Sequence, residues 1–155
     1  MKKKVVWILV IAICIIVLLK NFMSNESEYL IIANANQNEL YSEGKLTSIG
    51  VIKEFFSSLN NGDAKTLNEL YVQNYFGITE QDIGYFEFPK QEIYDVKVKI
   101  LDKSTKYDEF YEVKFKIKNN TAPPLMGLGS GKTKCYFNIL MENTEWKIKD
   151  ISTSP

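Results

Sequence analysis

The chain has 155 residues and a formal net charge of zero, with an apolar and aromatic content ordinary for a protein that builds a core. It contains no histidine and no arginine. That removes Ser-His-Asp and Cys-His nucleophile systems, the commonest nitrogen ligand of zinc, and the bidentate fork for phosphate or carboxylate. The zero charge conceals an asymmetry: Lys2, Lys3, Lys4 and Lys20 lie in an acid-free first stretch, and the remainder is mildly acidic. Such a remainder argues against a nucleic-acid partner, which calls for a concentrated basic face.

Residues 5–19 (VVWILVIAICIIVLL) form an unbroken apolar run behind the lysine cluster. Extended to Met23, a helix of this stretch measures about 28 Å, close to a bilayer core of about 30 Å, with Lys20 reaching back to the interface. The lysines set the N-terminus in the cytoplasm and the rest outside. A cleaved signal peptide has the same front end, but the nearest A-x-A match, Ala33-Asn34-Ala35, lies too far downstream. A lipoprotein reading of Ile11-Ala12-Ile13-Cys14 meets a bulky Ile13 and an apolar run that continues past the cysteine. The pattern favours an uncleaved anchor over these two. The expected organisation is a cytoplasmic stub (1–4), a transmembrane anchor (5–23), a polar tether (24–44) and an extracytoplasmic domain (45–155) in the cell membrane. Membrane lipid is the partner of the anchor.

From Lys45 the pattern turns helical. Ile49, Ile52, Phe55, Phe56 and Leu59 make one apolar stripe. Asn60-Asn61-Gly62 is a stop signal, and Asp63 is placed to cap a second helix carrying Leu67, Leu70 and Tyr71. The stretch from Gly77 to Pro89 is mixed. After Pro89 the period changes to two, through Tyr94-Val96-Val98-Ile100, Tyr111-Val113-Phe115-Ile117, Cys135-Phe137-Ile139-Met141 and Trp146-Ile148. These are four strands of an antiparallel sheet with one buried and one wet face, joined near 102–106 and 142–144. Cys14 falls in the anchor and Cys135 in a strand, so no internal disulfide is expected, and Cys135 reads as a small buried residue.

This order resembles the nuclear transport factor 2-like superfamily. The residues that carry the likeness are the helix ending Leu59-Asn60-Asn61-Gly62-Asp63, the Leu- and Tyr-bearing second helix, and the closing Glu145-Trp146-Lys147-Ile148-Lys149-Asp150-Ile151. The ending Ile-Ser-Thr-Ser-Pro is similar to uncharacterised Gram-positive domain families of that superfamily. The resemblance implies an α+β roll, two to three helices packed on a curved four-stranded antiparallel sheet with a cavity on its concave face. Many activities share this fold, and resemblance alone assigns none.

By parity, Tyr94, Tyr111 and Asp150 share the apolar face with Val98, Phe115 and Ile148, and Trp146 joins them as a pocket-lining residue. Enolising isomerases and dehydratases of the superfamily use acids and tyrosines in such cavities, which makes Asp150 a candidate base. A strand bend near Ile151 would instead turn Asp150 outwards. The loop 119–132 (NNTAPPLMGLGSGK) carries Leu125 and Met126, read as a flap, a partner-binding tip or a plug for the open end of the core. Gly129-Ser130-Gly131-Lys132-Thr133 lacks the glycine of a phosphate loop, since Met126 stands there. Lysines 97, 99, 114, 116, 118, 147 and 149 lie on the wet face, either as a basic patch for anionic headgroups or wall polymers or as solvating charges among Asp95, Glu112 and Glu145.

Neither a cofactor nor a metal site is indicated. The expected function is a membrane-anchored extracytoplasmic binding or interaction module for a protein or a small apolar ligand. The alternatives are a scaffold subunit of a membrane complex, as the resemblance to anchored domains of type IV secretion assemblies implies, and a cavity enzyme of isomerase or dehydratase type.

Overall fold

The computed structural model describes residues 29–72, 90–118 and 133–155. The expected anchor and the loop 119–132 lie outside them, and among the described residues no helix is long and apolar enough to cross a membrane. The contacts divide the chain into Met1–Leu30, of which only Tyr29 and Leu30 are described, and Ile31–Pro155.

The segment expected as a tether is largely structured. It holds β1 (Leu30–Ile31), a 3-10 turn (Ile32–Asn34), α1 (Gln37–Leu40) and a small hairpin of β2 (Tyr41–Ser42) and β3 (Lys45–Leu46). Ile32 and Leu40 are buried. Short elements like these carry no hydrophobic period. They are set by local chemistry: Asn36 and Glu39 form a capping box at 3.1 and 2.7 Å, and Glu43 and Gly44 take positive φ at the hairpin turn.

Helix α2 (Ser48–Asn61) starts at Thr47, whose hydroxyl accepts from the Gly50 amide at 3.0 Å, and ends at Gly62, left-handed at φ 71° and ψ 29°. Its buried stripe includes Val51, Ile52, Phe55, Phe56 and Leu59. Helix α3 (Ala64–Glu69) is capped by Asp63, which accepts from the Thr66 amide at 3.0 Å. That bond holds the Asp63 carboxyl below its ordinary range. At the far end of α3, the Lys147 ammonium donates to the Glu69 carbonyl at 2.7 Å, a cation where the helix dipole is negative.

Period-two patterning yields β4 (Ile93–Thr105), β5 (Asp108–Ile117), β6 (Lys134–Glu142) and β7 (Glu145–Ser152). With β1 they form a five-stranded sheet in the order β1-β4-β5-β6-β7, and the pairs from β4 to β7 are antiparallel. The β6–β7 turn has Asn143 and Thr144 both at positive φ, as a two-residue hairpin requires. Outside the hairpin, Ile148 exchanges backbone bonds with Leu70 (2.7 Å) and Val72 (3.1 Å), which covers the free edge of β7.

The architecture is α+β, a curved antiparallel sheet with few helices. Register shifts mark where the sheet bends: three along β4 against β5, and one between β6 and β7 at Asn138/Ile139. Each inserts an extra residue into one strand, which bends that strand and raises its twist. At the first shift, Asp95 takes φ 55°, a left-handed conformation that aspartate tolerates better than most residues.

Candidate functional site

The inner face of the sheet is filled by side chains from α2. Phe55 packs edge-on against Phe137 with ring centres 5.2 Å apart and against Phe56 at 5.4 Å, and Phe56 meets Phe115 at 5.2 Å. Tyr71 closes on Phe55 at 6.3 Å. Val98, Val113, Ile139 and Ile148 lie beneath, almost without exposure. Aromatic rings at these separations bury large areas and add edge-to-face attraction, so this part of the concave face is a packed core.

The four pocket candidates do not assemble there. Tyr111 is buried at the inner face, and Trp146 packs half-buried against the core. Tyr94 is 51% exposed. It stands opposite Lys116, a residue of the outer face, and the buried residue beside it is Ile93. Asp150 is exposed and stands opposite Asn138, also an outer-face position. One cause explains both corrections. An extra residue in β4 between Tyr94 and Lys97, and another in β7 between Ile148 and Asp150, reverse the alternation at those points. A concave trio of Tyr94, Tyr111 and Asp150 is therefore not formed. Leu125 and Met126 lie outside the described residues.

At Tyr111 the structure instead gathers a buried polar cluster. The Tyr111 hydroxyl donates to Glu109 Oε2 at 2.5 Å, Ser48 Oγ donates to the same oxygen, and the two hydroxyls stand 2.8 Å apart. All three residues are buried. Ser48 begins α2, so the carboxylate sits at a helix N-terminus, where negative charge is favoured. Burial first, then the hydrogen bond to Glu109, push the Tyr111 phenol well above its ordinary range. The cluster joins the first turn of α2 to β5 and offers no exposed nucleophile. Glu109 was legible by parity, two residues before Tyr111 on the same face, but an acid in that position reads as a hairpin residue.

The outer face carries a different chemistry. Lys97 stands directly opposite Lys114, and Lys114 directly opposite Lys134, a row across three strands. Like charges so opposed destabilise a sheet, by up to about 1 kcal/mol a pair. Glu112 offsets part of this, with its oxygens 3.5 Å from the Lys114 ammonium and 3.7 Å from that of Lys134. Lys116 pairs with Asp95 at 2.7 Å, which lowers the aspartate pKa and raises that of the lysine. Tyr136, placed by parity on the wet face, is nonetheless buried. It stacks on Phe110 at 5.9 Å, and the Lys134 ammonium lies 5.3 Å over its ring. Lys147 is drawn to Glu145 at 3.1 Å and to α3, away from the row. Among the described residues no group of three or more acids or cysteines is arranged to hold a metal.

No protein-family model matches the sequence, and no curated protein is similar enough to count as a relative.

Proposed function

We infer that the chain is a membrane-anchored, extracytoplasmic interaction module on a nuclear transport factor 2-like roll, and that it works through the outer face of its sheet. The apolar run behind three lysines supports the anchor and its orientation. Two capped helices followed by a β-meander support the superfamily. The observation that carries the reading is the aromatic packing of Phe55, Phe56, Phe115 and Phe137 across the concave face. With the described part of that face occupied by the protein's own rings, and with neither histidine nor arginine in the chain, recognition falls to the lysine-bearing surface.

The topology is tested with one engineered thiol. Lys106 is exposed at the β4–β5 turn, so Lys106→Cys in a Cys14→Ala background gives a reporter, while buried Cys135 stays silent. The expected result is labelling by a membrane-impermeant maleimide on intact cells, with the protein retained in carbonate-washed membranes. Labelling only after lysis would place the domain on the cytoplasmic side and overturn the reading.

A further inference from the structure

The outer face of β4, β5 and β6 concentrates positive charge at its end away from the β4–β5 turn, in a domain that is otherwise acidic. There Lys97, Lys99, Lys114, Lys116 and Lys134 surround two carboxylates, Asp95 and Glu112, while Asp102 (opposite Phe110) and Asp108 (opposite Leu140) lie on the same face further along, towards the β4–β5 turn. Both carboxylates already face lysine ammonium groups, Asp95 that of Lys116 and Glu112 those of Lys114 and Lys134. An open groove of about 300 Å³ runs over the row, lined by Asp95, Lys97, Lys114, Lys116, Thr133 and Lys134. Apart from Asp95 its polar side chains are ammonium groups and one hydroxyl. That donor set fits a group with several anionic oxygens and no fixed approach geometry, which is how lysine, unlike arginine, recognises phosphate.

We propose that this face docks on the phosphate headgroups of anionic phospholipids in the membrane that holds the chain, a step that rests on the anchored reading above. Chain length selects that source of phosphate. The seven residues from Ser24 to Leu30 separate the end of the apolar run from the end of β1, a reach of at most about 25 Å. In the sheet β1 is the neighbour of β4, which carries Lys97 and Lys99. A tether this short gives headgroups a high effective concentration at the row. A cluster of a few lysines near an anionic leaflet yields reversible, salt-sensitive docking rather than a second anchor.

The test uses the full chain in nanodiscs of phosphatidylcholine alone, or of equal parts phosphatidylcholine and phosphatidylglycerol. Acetylation of individual lysines is read by mass spectrometry, with Lys65 on the exposed side of α3 as the internal control. In the anionic discs, acetylation of Lys97, Lys114 and Lys134 is expected to fall on the order of fivefold. High salt restores it, and Lys65 does not change. In the double variant Lys97→Gln/Lys134→Gln, checked to retain a single cooperative melting transition, the protection of Lys114 disappears. Equal acetylation in both discs overturns the docking and leaves the anchor standing. Failure of the chain to elute with neutral discs overturns the anchored reading, and the docking with it. Protection by inorganic phosphate in neutral discs, without protection by the anionic ones, would make the groove a site for soluble phosphate and overturn the membrane source.

Discussion

Asn60 and Ile93 are joined by two hydrogen bonds of 2.8 Å, the Asn60 amide donating to the Ile93 carbonyl and the Ile93 amide donating to Asn60 Oδ1. A side chain in the last turn of α2 thus imitates a ladder rung and fixes where β4 begins. Gln91 adds a bond to the Leu59 carbonyl at 3.1 Å. Replacing Asn60 by Ala leaves two backbone groups of Ile93 without these partners, a loss of about 1–3 kcal/mol. Asn60→Asp keeps the acceptor but sets a carboxylate against a carbonyl, so its loss is at least as large. Urea unfolding of both variants checks the ordering.

The Ser48–Glu109–Tyr111 cluster predicts an alkaline weakness. The folded state holds the Tyr111 proton above its ordinary range, through burial and then the bond to Glu109. Above about pH 10 the unfolded chain releases a proton that the folded chain keeps, so stability is complete below that pH and falls as pH rises beyond it. Cys135, pushed by burial up to about 12, acts in the same direction from the ordinary thiol range upwards. Tyr111→Phe is expected to flatten the part of the alkaline loss that begins near pH 10. At neutral pH it lowers stability by about 1–3 kcal/mol, because Glu109 and Ser48 lose a buried partner. Chemical denaturation across pH 7–11 reads both effects.

Gly50 marks a close approach between α2 and α1. A Cβ built there meets the Leu40 carbonyl oxygen at 2.2 Å, and that carbonyl also accepts from the Thr47 amide at 2.9 Å. The closest contact is backbone, which cannot rotate away, and a shift of the Leu46 side chain, whose Cδ2 lies 3.1 Å off, would not relieve it. Gly50→Ala is therefore expected to destabilise by about 1–3 kcal/mol, despite the better helix propensity of alanine. A thermal melt that moves upwards would contradict this contact.

Asp95 sits in the bulge that turns Tyr94 outwards, and its φ of 55° sets a clear ordering among variants. Asp95→Gly keeps the backbone conformation and releases Lys116, so stability changes little. Asp95→Val places a β-branched residue in the left-handed region and is expected to lose about 1–2 kcal/mol. Comparing the two denaturation midpoints separates backbone strain from the lost ion pair.

The features written in local chemistry were legible in the sequence. The stop at Gly62, the cap at Asp63 and the turn at Asn143-Thr144 each depend on one residue and its immediate neighbours. The alternation of β5 was equally plain, because no extra residue interrupts Asp108 to Lys114 in its pairing with β6. Parity failed at Tyr94 and Asp150, since a bulge is created by the partner strand as much as by its own residues and leaves the apolar-polar pattern looking intact. The opposition of Lys97, Lys114 and Lys134 was hidden for a related reason: a list of wet-face lysines omits register, and register decides which charges meet. The order within residues 31–46 leaves no periodic signal in the sequence, because caps and turns, rather than a repeating apolar face, build it.

The most direct test of an outward-working module is a photocrosslinking scan in living cells. A diazirine side chain is placed at Lys99 or Lys116 on the outer face, at Lys65 on α3, and at Tyr41 on the small hairpin. Lipid or protein adducts are expected from the two outer-face positions, well above the yields from Lys65 and Tyr41. Equal yields at all positions, or adducts confined to Lys65 or Tyr41, would contradict it.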